Sequence, residues 1–449
     1  MIEPPDDGKI ALKKVLGTSQ LWAIAVGMVI SGQYFGWNYG WAVAGTGGFL
    51  ISVLLVTVLY LTFIFSYTEL TTSIPDAGGP FAYAFRALGP VGGFIAGFAT
   101  LVDFVLAPPA IAMALGSYAN FLYPDIPVLA TAIVSYFIFI AINLFGMKES
   151  ANFSLLVTTL SVIELLVFMA LIFPAFKTQN FMANSTLTVN GVFAGIPFAI
   201  WFFVAIEGVA MVAEEVKNPI KTIPKGYILA ILTLVILSVG IMVLSGGVGD
   251  WRLLSEIDHP LPETLAMALG KNNAWSKIFT SLGLFGLIAS FHGNTIGYSR
   301  QIYALARIGY LPNFLSKVNQ RYHTPHWALI VGGLVGFLAI FSGKTDQIII
   351  MSVLGAIVMY VISMISLFIL RNKEPHLLRP YKVPFYPIFP SIALVLSILC
   401  MIAIIYYNLF LSAIFFVCLS ICFIVFILIR MKFVHFKTIQ KNIQKNIFK

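Results

Sequence analysis

Charged residues in this chain are bunched into short gaps, and between the gaps lie long apolar stretches that carry almost none. Apolar runs of roughly 20 residues recur from Ser19 to Arg430, each long enough as a helix to cross the ~30 Å hydrocarbon core of a bilayer. The pattern delimits twelve of them, near 19–44, 48–70, 92–120, 127–145, 153–174, 191–215, 226–246, 277–305, 327–342, 347–370, 387–407 and 409–429. The predicted fold class is an all-α membrane protein with about twelve transmembrane helices.

Composition strengthens this expectation. Hydrophobic residues make up 59% of 449 positions and charged residues 10%, too little polar surface to keep a soluble domain of this length in solution. Charge then orients the chain, because cationic loops resist translocation. With both termini cytoplasmic, only Lys177, Arg252, Lys271, Lys277 and Lys344 of the 27 Lys and Arg residues fall outside. The net charge of +9 is thus accounted for by topology and implies no nucleic-acid partner. Membrane lipids are the partner that the pattern itself demands.

Cys400, Cys418 and Cys422 all lie in the last two runs, with no CxxC pair or His/Cys cluster, so no metal site is expected and the thiols read as inert. The N-terminus MIEPPDDGK is acidic and polar, unlike a cleavable signal peptide, which makes the first run a retained anchor. The tail after Arg430 is basic with spaced Phe and Ile, and either lies on the anionic cytoplasmic leaflet or is solvated and disordered.

Two of the runs look broken. In Ser31–Gly40 (SGQYFGWNYG), Gly32 and Gly36 fall at about half depth, where glycine is the cheapest residue for unwinding and freed backbone survives only beside a cavity. A small-residue packing face is the other reading of these glycines. Five runs later, Glu207-Gly208 places a carboxylate and a glycine inside the sixth run. Interrupted helices at matching positions of two halves point to an inverted-repeat architecture with a site between them.

The loops between the runs resemble those of the amino acid–polyamine–organocation (APC) superfamily. Ile74-Pro75-Asp76-Ala77-Gly78-Gly79-Pro80-Phe81-Ala82-Tyr83 is similar to the stretch after its second helix, and Glu214-Glu215-Val216-Lys217-Asn218-Pro219 with Ile223-Pro224 to its EExKNPxxxIP signature. Ser299–Arg307 with Gly309 and Leu311-Pro312 resembles SRxxYAxARxGxLP, and Arg379–Pro384 resembles RPYKVP. The resemblance implies a five-plus-five inverted repeat with broken helices 1 and 6, followed by two further helices. The expected segments are a cytoplasmic stretch 1–18, repeats 19–174 and 191–370, helices 387–429 and a basic cytoplasmic tail 430–449. Within the superfamily the chain looks most like bacterial ethanolamine permeases, on Ile30–Asn38 (ISGQYFGWN) and Asp103–Ala112 (DFVLAPPAIA). That likeness implies a permease in a bacterial inner membrane that moves ethanolamine or a similar small amine, as proton-coupled or facilitated uptake. An amino-acid permease or an amino-acid/amine antiporter is the alternative.

Amino-acid members of the superfamily carry a Gly-Ser-Gly turn in the first helix that holds the substrate carboxylate on backbone N–H groups. The stretch taken as its counterpart reads Gly36-Trp37-Asn38, whose bulk argues for an amine without a carboxylate; alternatively the alignment shifts by a residue or two and Trp37 merely packs. Carbonyls freed at Ile30, Ser31 and Gly32 and at Phe203, Val204 and Ala205 are expected to face an ammonium, with π-faces from Tyr34, Trp37, Trp201, Phe202 and Phe203. Asp103, Glu164 and Glu207 lie at membrane depth, where a charge costs at least ~2.5–3.5 kcal/mol, so each is expected to face the interior. Glu207 either senses the amine and carries a coupling proton or caps unwound backbone. Glu164 lies one turn beyond the place where some proton-coupled relatives carry a lysine, which reads Ser161 here. His292 either relays protons or is hydrogen-bonded in the core. Glu69, Glu214, Glu215, Arg300 and Arg307 read as inner-gate ion pairs or as topology charges.

An enzyme would need a nucleophile, metal cluster or phosphate cradle, and none forms a recognisable motif. No cofactor is implied. The longest gaps, near 175–190, 247–276 and 371–386, are too short for a soluble signalling domain. Proton coupling or uniport is favoured over sodium, since no distinct Ser/Thr pair stands out in Ala289–Thr295. Monomer and homodimer are equally compatible with the pattern.

Overall fold

The structure, a computed structural model, describes residues 14–145, 151–183, 187–271, 273–319, 321–322 and 324–447. Lys9, Lys13 and Lys148, which entered the charge count, lie outside the described residues. Among those described, nine helices are long and apolar enough to cross a bilayer, and the shorter apolar helices Thr18–Val29, Val128–Leu144 and His326–Ile340 complete a set of twelve spans. Large apolar side chains stay bare on the outer surface of the bundle, among them Leu338 at 69%, Val395 at 63% and Ile236 at 63% exposure. Burying polar groups inside and presenting aliphatic ones outside is stable only where the surroundings are hydrocarbon.

The first span comprises Thr18–Val29, a turn at Ile30, Ser31–Tyr34 and a non-helical segment 35–38, after which Tyr39–Ser73 begins. That long helix is itself broken at Gly45 (φ 65), so its start finishes the first span and its remainder is the second. Pro80–Leu122 is bent at Gly89 (φ 78), which separates a short surface helix from the third span. The fourth and fifth spans are Val128–Leu144 and Ala151–Ile172. The sixth span is discontinuous: Ile196–Trp201 is α-helical, 202–205 is a turn, and Ile206–Glu215 is wound as 3₁₀-helix. Pro219–Gly246, Ala274–Arg307, His326–Ile340, Thr345–Lys373, Ile388–Tyr407 and Leu409–Ile447 follow, the last running on through the basic tail.

Close packing of the third and tenth spans depends on a missing side chain. A Cβ on Gly355 would stand 2.5 Å from Ala99 O and 2.9 Å from Asp103 N, so only glycine lets the helices meet there. The contact brings Ser352, one turn away, against Asp103.

The face rich in Lys and Arg is tied together by carboxylates. Glu69, its side chain 3% exposed, accepts two bonds from Arg371, 2.7 Å from Nε and 2.5 Å from Nη2, lies 3.4 Å from Arg379 Nε and accepts from Val383 N at 2.8 Å. Arg300 pairs with Glu215 at 2.8 Å, Arg86 with Glu374 at 2.6 Å, and Glu214 accepts from Ala77 N at 3.0 Å. Of the charges with two open readings, Glu69, Glu215 and Arg300 are therefore ion-paired, while Arg307 lies over the Tyr303 ring at 5.8 Å. Glu69→Ala strands two arginines; breaking a buried pair costs about 3–5 kcal/mol, and Arg371 at 21% exposure puts the expected loss near the lower bound, about 3 kcal/mol. A thermal melt in detergent that does not move would show that Glu69 holds nothing together.

Candidate functional site

The two expected breaks are present and they touch. A Cβ on Gly32 would stand 2.3 Å from Trp201 O and 3.3 Å from Phe202 Cα, so the first span meets the sixth backbone to backbone. Gln33 Nε2 donates to Phe202 O at 2.9 Å, and Trp201 Nε1 donates to Phe35 O at 3.1 Å. The sixth-span break sits slightly earlier than expected. Its left-handed residue is Ala205 (φ 77), a conformation that costs a non-glycine residue about 1–2 kcal/mol. Gly208 instead serves packing, since a Cβ there would stand 2.8 Å from Met28 Sδ and 2.9 Å from Phe104 Cζ.

Of the carbonyls expected to face an ammonium, those of Ile30, Ser31, Phe203 and Ala205 accept bonds from Gln33 N, Phe35 N, Ile206 N and Gly208 N in this conformation. They close tight turns instead. Val204, between two of them, is buried within the same turn of the sixth span.

The break is served by carboxyl groups. Asp103 of the third span and Glu207 of the sixth are both fully buried, and they lie close enough for each to feel the other's charge. Ser352 Oγ donates to Asp103 Oδ1 at 2.8 Å, Tyr360 OH donates to Glu207 Oε2 at 2.9 Å, and Tyr60 OH lies 2.8 Å from Tyr360 OH. Asp103 Oδ2 and Glu207 Oε1 have no hydrogen-bond partner, and neither side chain is in an ion pair among the described residues.

Glu164 belongs to a second cluster. Its Oε2 accepts from Tyr34 OH at 2.9 Å, and Tyr34 O accepts from Tyr118 OH at 3.0 Å, so Tyr34 is held by its hydroxyl and its carbonyl and packs on Gly286. His292 is buried in the eighth span beside Gly293, which packs on Met28. At the end of the first half-helix, Met28 O accepts from Ser290 Oγ at 2.6 Å and from Asn294 Nδ2 at 2.9 Å, while Ser31 Oγ lies 2.8 Å from Ser290 Oγ. Among the described residues no group of three or more His, Cys, Asp or Glu is placed to hold a metal.

Trp37 differs from the expectation of a π-face offered to a cation. Its ring stacks on Phe202 at 5.6 Å, meets Trp41 edge-on at 4.8 Å, and donates from Nε1 to Gln33 O at 3.2 Å. The first span touches the sixth at Gly32 and again at Gly36, and Trp37 packs on the sixth-span turn at Phe202. Gly36 (φ 91) makes the turn and lies against the Trp201 ring. Asn38 holds a lid, its Nδ2 donating to Leu254 O at 2.6 Å and to Ile257 O at 2.8 Å.

The lid is the loop between the seventh and eighth spans. Asp258 fastens it, accepting from Tyr39 OH at 2.5 Å and from Thr345 Oγ1 at 2.7 Å. Burial raises the Asp258 carboxyl above the usual carboxylate range, and the Tyr39 and Thr345 bonds offset only part of the shift. Opening the lid would hydrate Asp258 and return it to its ordinary value, so the closed lid binds the proton more tightly. The proton-linked share of lid closure is present below the ordinary carboxylate range and is lost as pH rises through the raised value. A cysteine at Phe198, beside Tyr39, in a background lacking Cys400, Cys418 and Cys422, should therefore react faster with an impermeant maleimide as pH increases, after correction for thiolate fraction. Asp258→Asn should flatten that dependence; an unchanged profile would remove Asp258 from the latch.

Tyr60, Tyr360, Ser352, Gln33 and Asp258 were not singled out from sequence. Tyr60 and Tyr360 are two of 18 tyrosines, and nothing local marks the pair that meets across 300 positions.

The amino acid permease family model matches residues 16–447. The chain is 27% identical over 408 residues to the branched-chain amino acid permease of Bacillus subtilis, covering 86% of this chain and 87% of that protein. It is 25% identical to the methylthioribose transporter of the same organism, over 85% of this chain and 87% of that one. To the human cystine/glutamate transporter it is 28% identical, over 86% of this chain and 79% of that one.

Proposed function

The chain belongs to the amino acid permease family of the APC superfamily, and from that premise we propose that it moves a small amino acid or amine across a membrane by alternating access. The solute's ammonium is received at the Asp103–Glu207 pair. The observation that carries this reading is the pair itself, two buried carboxyls beside the sixth-span break with no ion-pair partner among the described residues, to which the reading assigns one shared proton and one negative charge. One ammonium matches that charge, and release of the shared proton gives a route to proton coupling.

Proton coupling is favoured over sodium by the state of Met28 O. Two donors, Ser290 and Asn294, already satisfy it, so that carbonyl is not available to a cation.

The relatives are named for branched-chain amino acids, methylthioribose and cystine or glutamate, which supports amino-acid transport without fixing the side chain. Ethanolamine is the second reading. It is favoured by the acid-only charge of the site and by the likeness at Ile30–Asn38 and Asp103–Ala112. The charge bias supports a cytoplasmic basic face carrying both termini, in a bacterial inner membrane, and the meeting of the two breaks supports residues 19–174 and 191–370 as the inverted repeats.

Uptake in proteoliposomes separates the readings. With an inward proton gradient, labelled leucine, alanine and ethanolamine are offered singly and in competition. Accumulation of an amino acid that ethanolamine does not displace selects the first reading, and the reverse selects the second. Failure of all three to accumulate under any gradient would sink both.

A further inference from the structure

Apart from the transport pathway, the basic face has a cavity of about 490 Å³ in the segment that joins the tenth and eleventh spans, lined by Arg371, His376, Leu378, Arg379 and Lys382 among others. The positive charges of Arg371, Arg379 and Lys382 surround it, and the carboxylate paired with Arg371 and Arg379 is Glu69 behind its wall. Arg379 is the rigid floor, with its guanidinium donating to the carbonyls of Leu370, Glu374, Pro375 and Leu377 at 2.9–3.3 Å. Arg371 is equally fixed, lying 4.0 Å above the Tyr386 ring. Lys382 and His376, by contrast, are exposed and in no ion pair among the described residues.

The charge is set beside apolar surface. Leu378 at the cavity and Phe385 and Ile388 at the start of the eleventh span are 76%, 71% and 57% exposed, between the end of the tenth span and the start of the eleventh. A soluble anion would use the cations and leave these side chains in water. A molecule with a phosphate head and acyl chains uses both, and basic pockets between spans are where such heads bind.

We propose that this cavity binds the phosphate headgroup of an anionic phospholipid, with Lys382 and His376 as the mobile donors, Arg371 and Arg379 as fixed charge, and Leu378, Phe385 and Ile388 against the chains.

Native mass spectrometry of the full-length protein in neutral detergent, with phosphatidylglycerol and phosphatidylcholine supplied together, tests it. Wild-type protein should retain phosphatidylglycerol preferentially, and Lys382→Gln should weaken that retention about fivefold, the share of one cation near an anionic headgroup. Lys382→Gln with His376→Gln should weaken it further, with the melting temperature in the absence of lipid unchanged. Glycerol 3-phosphate in excess should neither bind nor displace the lipid. Equal retention of phosphatidylcholine, undiminished retention by the double variant, or displacement by glycerol 3-phosphate would each overturn the proposal, the last by assigning the cavity to a soluble anion.

Discussion

Glu207→Gln is expected to fold, to reach the membrane, and to lose proton-driven accumulation while exchange of labelled for unlabelled solute continues. The amide keeps an acceptor for Tyr360 and can donate to Asp103, so the shape of the pair survives. What it removes is the proton that moves between them. One coupled proton supports about tenfold accumulation per unit of pH gradient, since one pH unit is worth 1.36 kcal/mol. The variant should show none at any imposed gradient. Asp103→Asn is expected to do the same from the other side of the pair, its oxygen still accepting from Ser352 and its amide donating to Glu207. If Glu207→Gln accumulates solute like the wild type at every pH, the pair is not the coupling site. If both exchange and accumulation vanish, the carboxylate is needed for the ammonium itself.

Gly32→Ala is the second large effect. The added methyl would meet Trp201 O at 2.3 Å, and that atom is backbone in a turn pinned by Gln33 and by the bond from Trp201 to Phe35. Overpacking costs typically about 1–3 kcal/mol, and a contact this short against backbone puts the cost toward the top of that range. The penalty falls on the conformation in which the two breaks meet. A population shift of this size reduces uptake by roughly ten- to a hundredfold. Gly333→Ala, where the nearest atom would be a side-chain carbon of Ile140 at 3.4 Å, is the matched control and should transport normally. Normal uptake by Gly32→Ala would show that the breaks need not meet during transport.

Much of the architecture was legible because lipid imposes a one-dimensional rule: every span must be apolar over its whole length, so spans announce themselves without reference to partners. All twelve runs correspond to helices or broken helices in the structure. The breaks were legible for a related reason, since glycine and a carboxylate at membrane depth are costly anywhere but beside a cavity. Their detail was less so. Ala205 carries the left-handed turn although its type marks nothing, and Gly208, which looked like the break, gives room to Met28 and Phe104. Of the two readings open for Trp37, the structure shows the packing one in this conformation, because its ring meets Phe202 and Trp41, contacts that the residue type does not announce.

The sequence by itself determined that the chain is a twelve-span membrane protein, that spans 1 and 6 are interrupted, and which carboxylates lie at membrane depth, because these follow from local hydropathy and from single residues out of place. Only the tertiary structure decided that two of those carboxylates meet. Asp103 and Glu207 come together because the helix carrying Asp103 rides on Gly355 and the sixth span unwinds at Ala205, aiming Glu207 inward. Glu164, with the same chemistry and depth, is turned to Tyr34 by the fifth span and takes no part. The coupling of two carboxyls depends on distance between groups 104 positions apart, and distance across a bundle is set by how helices pack, which no local pattern records.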